Sequence, residues 1–105
     1  METGCVVLVT ASEEAEARKL SHLLVERRLA ACVNLVPGVS SEYWWQDKIE
    51  TASEWLLIIK TREERVEELI ALVKQEHSYS VPEVLALPIL MGNPDYLEWL
   101  EKYTA

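Results

Sequence analysis

The side chains best suited to chemistry are few. The 105-residue chain has two histidines, His22 and His77, and two cysteines, Cys5 and Cys32. Imidazole and thiolate hold soft or borderline metals and serve as nucleophiles or proton carriers. Neither cysteine belongs to a CxxC pair, and no GxSxG, HExxH, GxGxxG or P-loop run is present. No triad is recognisable, so the chain reads as a non-enzyme. His22 has Glu26 one helical turn on, and such a pair reads as a solvated histidine. Eighteen acidic residues face ten basic ones, for a net charge of −8 and a pI of about 4.7. An acidic surface explains these carboxylates more simply than paired acid–base work.

The same balance excludes partners. Phosphate-backbone binding needs clustered Lys and Arg, and the largest basic cluster is Arg27-Arg28. Nucleic acid and anionic membrane surfaces are therefore not expected partners. No stretch approaches the length of a membrane span. The Cys5–Val9 apolar run is too short for a signal peptide and lacks a basic flank. Both cysteines read as reduced thiols, and the expected compartment is the cytoplasm.

The elements that must position these groups follow from periodicity. Cys5-Val6-Val7-Leu8-Val9 reads as a buried central strand. Ser12 is a candidate N-cap, with Glu13 and Glu14 at the positive end of the helix dipole. Ala17, Leu20, Leu23 and Leu24 line one face of a helix expected to reach about Leu29. Ala31 to Val36 reads as a strand, Pro37-Gly38 as a bend, and Ser41 to Trp45 as its continuation. Gln46-Asp47-Lys48 forms a turn. Ile49 to Lys60 returns, and the polar stretch Thr51 to Glu54 predicts a bulge there.

Thr61-Arg62-Glu63-Glu64 fits a capping box before a helix carrying Val66, Leu69, Ile70 and Val73, ending near Glu76. Pro82 opens a last strand, Glu83 to Leu90, whose Pro88 favours a sheet edge. Asn93-Pro94-Asp95 starts a third helix with Tyr96, Trp99, Leu100 and Tyr103 as its stripe. The order β-α-β-β-α-β-α predicts a single α+β domain over residues 1–105. Its fold is ferredoxin-like, with a four-stranded antiparallel sheet, both long helices on one face and a C-terminal helix. The hairpin from Ala31 to Lys60 is nearly twice the usual strand length of about 5–6 residues. Its exposed Tyr43, Trp44, Trp45 and Ile49 predict pairing with other copies of the chain in a ring-closed homo-oligomer. A hairpin folded back on its own sheet is the competing arrangement.

Several runs resemble one family in order and spacing. They are Leu29 to Gly38 (LAACVNLVPG), Tyr43 to Glu50 (YWWQDKIE), Trp55 to Thr61 (WLLIIKT), His77 to Val84 (HSYSVPEV), Ala86 to Ile89 (ALPI) and Gly92 to Leu100 (GNPDYLEWL). Together they are similar to the CutA family of divalent-cation tolerance proteins across essentially the whole chain. The resemblance implies a homotrimer with hairpins pairing between subunits, an architecture like that of PII signalling proteins. It also implies copper or another divalent cation as ligand, with no catalytic activity. Departures are Asp47 where the family has Gly in the hairpin turn, and Ser78 and Ser80 where it has Pro and Glu.

The copper ligands ascribed to the family are a Cys in the first strand and a His pair before the His77 loop. Those positions are Val9 and Glu76-His77 in this sequence. The metal candidates implied are therefore His77, Glu76 and, as an alternative thiol, Cys32. A bland alternative makes His77 a helix-terminal histidine and Cys32 a small buried residue. A second candidate is a small-molecule cleft between subunits formed by Trp45, Glu50, Lys60, Tyr79 and Glu83. There Lys60 would attract an anionic ligand, and Trp45 and Tyr79 would supply apolar walls with polar tips. The competing reading pairs Lys60 only with Glu83 or with solvent. The alternative function is a PII-like sensor or scaffold trimer that binds a small anionic effector without metal.

Overall fold

The computed structural model describes residues 4–105. Its elements are β1 (Gly4–Ala11), α1 (Glu14–Glu26), β2 (Cys32–Trp45), β3 (Lys48–Arg62), a 3₁₀ turn (Glu63–Arg65), α2 (Val66–Glu76), β4 (Val84–Pro88) and α3 (Pro94–Tyr103). The strands form one sheet in the order β2-β3-β1-β4. Every neighbouring pair is antiparallel. This is the ferredoxin-like arrangement expected, with a C-terminal helix added.

Alternation along the strands sorts the sheet into two faces. Val7, Val9, Leu57 and Ile59 are fully enclosed and pack with Ala17, Leu20 and Leu24 of α1 and Leu69, Leu72 and Val73 of α2. Each of the Val, Leu and Ile side chains among them stabilises the fold by about 1.5–3 kcal/mol relative to exposure. The opposite face carries no helix of this kind. Rows of cross-strand partners run across it: Cys32, Lys60, Val6 and Leu87, then Asn34, Ile58, Leu8 and Leu85, then Val36, Leu56 and Thr10. Leu85 and Leu87, on edge strand β4, are 56% and 49% exposed.

The hairpin projects. β1 ends at Ala11, paired with Trp55, so the segment Val39–Trp45 pairs only with Lys48–Glu54. Seven residues of strand extend about 23 Å at ~3.3 Å each, in keeping with a 44 Å long axis against 25 and 22 Å. Tyr43, Trp44, Trp45 and Ile49 are all more than 40% exposed along it. The hairpin is not folded back. Its turn places Gln46 at φ 50° and Asp47 at φ 63°, so Asp47 does take the left-handed conformation that Gly takes most easily.

Five local expectations are corrected. The irregularity lies on β2, not within Thr51–Glu54: Val36 pairs with Leu56 and Val39 with Glu54, so Pro37 and Gly38 oppose Trp55 alone. Gly38 supplies the required φ of 71°. Helix α1 stops at Glu26, because Arg28 turns left-handed (φ 59°) and the Leu29 and Ala30 amides fold back onto the Leu24 carbonyl. That reversal buries Leu29 and Ala30. Ser12 is not the cap of α1; Glu13 holds that position without a side-chain bond. Thr61 caps nothing: it is a buried β3 residue paired with Cys5, and α2 starts only after the 3₁₀ turn. Strand β4 is also shorter than expected, with Pro88 at its end on the sheet edge.

The third helix matches its start signal, since Asn93 Oδ1 accepts from the Asp95 amide at 3.1 Å. Its stripe is split. Leu100 is buried, whereas Tyr96, Trp99 and Tyr103 are each 40% exposed. Two arginines hold its end: Arg62 Nε donates to Thr104 Oγ1 at 3.0 Å and Arg65 Nε to the Thr104 carbonyl at 2.8 Å.

Candidate functional site

Helix α2 ends at Glu76, and the chain then crosses the end of the sheet to reach β4. The side chains of that crossing are tied to the base of the hairpin. His77 Nε2 lies 2.7 Å from the Thr10 carbonyl, and His77 Nδ1 accepts from the Tyr79 amide at 3.0 Å. The second bond makes Nδ1 the unprotonated nitrogen, so Nε2–H donates to Thr10. The imidazole is fully enclosed, with Glu16 Oε1 at 3.5 Å from Nδ1. Glu16 also accepts from the Ser78 amide at 2.5 Å and from the Ser78 hydroxyl at 2.9 Å.

Tyr79 completes the knot. Its ring lies 4.7 Å from that of His77, and its hydroxyl donates to Glu54 Oε2 at 2.6 Å. Glu54 is buried (5% exposed). Burial pushes the Tyr79 phenol well above its ordinary range, and the Glu54 carboxylate adds to the shift through its hydrogen bond and charge. Tyr43 raises it further, while a bond from Ser12 acts the other way. An accepting carboxylate stabilises the neutral phenol and opposes its anion. Tyr79 therefore acts as a donor that links the loop after α2 to β3.

The metal candidates are not brought together. In His77, Nε2 carries the proton given to Thr10 and the Nδ1 lone pair already accepts from the Tyr79 amide, so the ring has no lone pair free for a cation. Glu76 Oε1 is 3.1 Å from Lys19 Nζ. Cys32 pairs with Lys60 four residues along β3 from Leu56, the partner of Thr10, which puts the thiol about 13 Å along the sheet from the His77 contact. Its neighbour is Tyr96, whose phenol is raised by burial first and then by the Cys32 thiol. Among the described residues no three His, Cys, Asp or Glu side chains form a group that could hold a metal. A dedicated chelate within one protomer does not fit this arrangement.

The cleft candidates are dispersed within the protomer. Trp45 stands at the hairpin tip opposite Lys48, and Glu50 pairs with Tyr43 further down. Lys60 lies at the other end of β3, on the open face. Its Nζ donates to Asn34 Oδ1 and to the Ile58 carbonyl, the latter at 3.3 Å. Among the described residues Lys60 makes no ion pair, so it is not matched by Glu83, which is exposed. Tyr79 alone of the five joins the hairpin-base knot. Sequence reasoning missed Glu54, Glu16 and Ser12 as its partners. The one available signal was an acidic residue directly preceding the most buried run of β3.

Comparison with known proteins agrees with the fold and the motifs. The family model described as CutA1 divalent ion tolerance protein matches residues 5–103. The chain is 50% identical over 99 residues to the chloroplastic protein CutA 1 of Oryza sativa, a match covering 94% of this chain and 56% of that one. It is 48% identical to the divalent-cation tolerance protein CutA of Thermus thermophilus, over 94% of this chain and 96% of that one. Thus it spans about half the length of the plant relatives and nearly all of the bacterial one. The crystal structure of CutA1 from Oryza sativa superposes with a TM-score of 0.96 at 48% identity, covering 99% of this chain and 95% of that one. The Thermus thermophilus protein gives 0.95 at 47% identity, over 97% and 99%. The chain belongs to the CutA1 divalent ion tolerance protein family.

Proposed function

We propose that this chain works as a non-catalytic homotrimer in divalent-cation tolerance, in the cytoplasm, with copper or another divalent cation as the ion it meets. The observation that carries the assembly is the open sheet face. It presents Val6, Leu8, Leu56, Ile58, Leu85 and Leu87 beside a projecting hairpin with four exposed large side chains. Apolar area of this kind, next to an unpaired β4 edge, is stable in water when covered by another strand-bearing surface. Three copies close a ring in which each hairpin meets a neighbour. Because the described residues of one protomer assemble no chelate, ion donors come from more than one copy, with Cys32 on the open face the thiol such a set would draw on. Light scattering after size exclusion tests the assembly: three times the 12.0 kDa chain mass is expected, and a monomer at micromolar concentration overturns it. Calorimetric titration with Cu²⁺ then tests the donors. His77→Ala is expected to bind as the wild type does, and a lost heat for that variant would return His77 to the ligand set.

One observation favours a second reading, an intersubunit cleft for a small anionic effector. Lys60 is a half-buried cation on the apolar face with only neutral oxygen partners. Such a cation suits a carboxylate or phosphate. A thermal-shift screen of nucleotides and organic acids, comparing wild type with Lys60→Gln, tests it. Stabilisation that disappears in the variant supports the effector site, and no stabilisation of the wild type removes it.

A further inference from the structure

The reversal at the end of α1 leaves a recess against α3. Its cavity measures about 240 Å³ and is walled by Val25, Ala30, Trp99 and Tyr103, with Glu26 and Arg28 at its polar side. Trp99 and Tyr103 form an angled aromatic wall, ring centroids 5.6 Å apart and planes at 50°. Both rings are 40% exposed although they belong to the apolar stripe of a docked helix.

Arg28 is the unusual member. It holds φ 59° at the residue just past a helix C-terminus, a place where glycine is the usual occupant because a side chain there is strained. Burial of Leu29 and Ala30 and their amide bonds to the Leu24 carbonyl hold it there. The guanidinium lies 6.0 Å from the Tyr103 ring centroid, and among the described residues it makes no ion pair. Glu26 also lines the recess, with its Oε2 3.5 Å from His22 Nε2, so a bound acid has to place its carboxylate on the Arg28 side. The recess thus offers a two-ring aromatic wall, an aliphatic floor and one forked cation, with the Glu26 carboxylate at its edge.

We propose that this recess binds a small aromatic carboxylate, its ring against Trp99 and Tyr103 and its carboxylate paired with Arg28. The guanidinium fork matches a carboxylate with two parallel hydrogen bonds, a geometry an ammonium lacks. The size sets the class. Drug-sized ligands occupy roughly 300–1,000 Å³, so this smaller recess takes one or two fused rings and a short acid arm. The site is separate from the hairpin-base knot and shares no residue with the metal candidates.

The test is a titration of the full chain with benzoate and indole-3-acetate, followed by ¹H–¹⁵N NMR at the Trp99 indole and the Arg28 side chain. Saturable shifts at both groups are expected, with benzylamine giving none. Arg28→Gly relieves the left-handed strain while removing the cation, so it is expected to keep the folded spectrum and lose about tenfold or more in affinity. Arg28→Gln keeps the aliphatic stem over Tyr103 and reads the same loss if the glycine variant disturbs α3. The proposal is overturned if neither acid gives saturable shifts, if benzylamine binds equally well, or if affinity survives both substitutions.

Discussion

Replacing Thr61 by Val should make the protein more stable. Thr61 sits on the helix-covered face of β3, opposite Cys5 and in line with Leu57 and Ile59, and is fully enclosed. Its Oγ1 is buried without a hydrogen-bond partner among the described residues. A buried hydroxyl in that state costs about 1–3 kcal/mol of lost hydration. Val has nearly the same shape, keeps the β-branch that suits a strand, and exchanges the hydroxyl for a methyl in an apolar setting. The expected gain is about 1–2 kcal/mol. Thr61→Ser is the matched control, since it keeps the hydroxyl and deletes the methyl; it should lose about 1 kcal/mol. Urea denaturation followed by circular dichroism reads both, at one protein concentration because assembly adds to apparent stability. The midpoint should rise for Val with the slope unchanged. A Val variant equal to or weaker than the wild type would mean that the hydroxyl has a partner, and the reasoning fails.

Two further substitutions probe the hairpin. Tyr79→Phe removes the donor to the buried Glu54 carboxylate and should cost about 1.5–2 kcal/mol near neutrality. Because the folded-state phenol titrates above its ordinary value of 10.0, the unfolded chain loses its proton first as pH rises. Wild-type stability is then fully present below about pH 10 and declines above it. The Phe variant should decline less steeply in denaturant titrations at alkaline pH, and parallel curves would refute the link. Asp47→Gly relaxes a turn in which both central residues are left-handed and should stabilise the hairpin by about 0.5 kcal/mol. Slower amide exchange at Trp45 and Lys48 would show it, and faster exchange would refute it.

The order of elements was legible because each rests on local periodicity. The unbroken Cys5–Val9 run gave a central strand, and the stripe through Val66, Leu69 and Val73 gave a helix. The errors arose where a distant partner outweighed a local pattern. Thr61 has a capping sequence, but pairing with Cys5 across β1 keeps it in the strand. Arg28 carries no glycine to announce a helix end, and burial of Leu29 and Ala30 imposes it. The polar Thr51–Glu54 stretch suggested a bulge. It pairs regularly with Val39–Glu42 in the projecting hairpin, and the extra residue falls on β2 at Pro37-Gly38.

The hairpin-base knot was the least legible part, for a reason that bears on function. Its bonds join residues far apart in sequence, His77 to Thr10 across 67 positions and Tyr79 to Glu54 across 25. Such partners are fixed by strand register, and a slip of one residue would move every side chain to the other face. The knot in turn constrains that register. His77 grips β1 near its end, and Tyr79 grips β3 one residue beyond the last pair with β1. Past that point the hairpin has no support from its own sheet. The loop after α2 therefore fixes the direction in which seven paired residues leave the domain. In the proposed trimer that direction decides whether a hairpin reaches its neighbour, so the family-like His77–Tyr79 segment can serve assembly without binding any ligand itself.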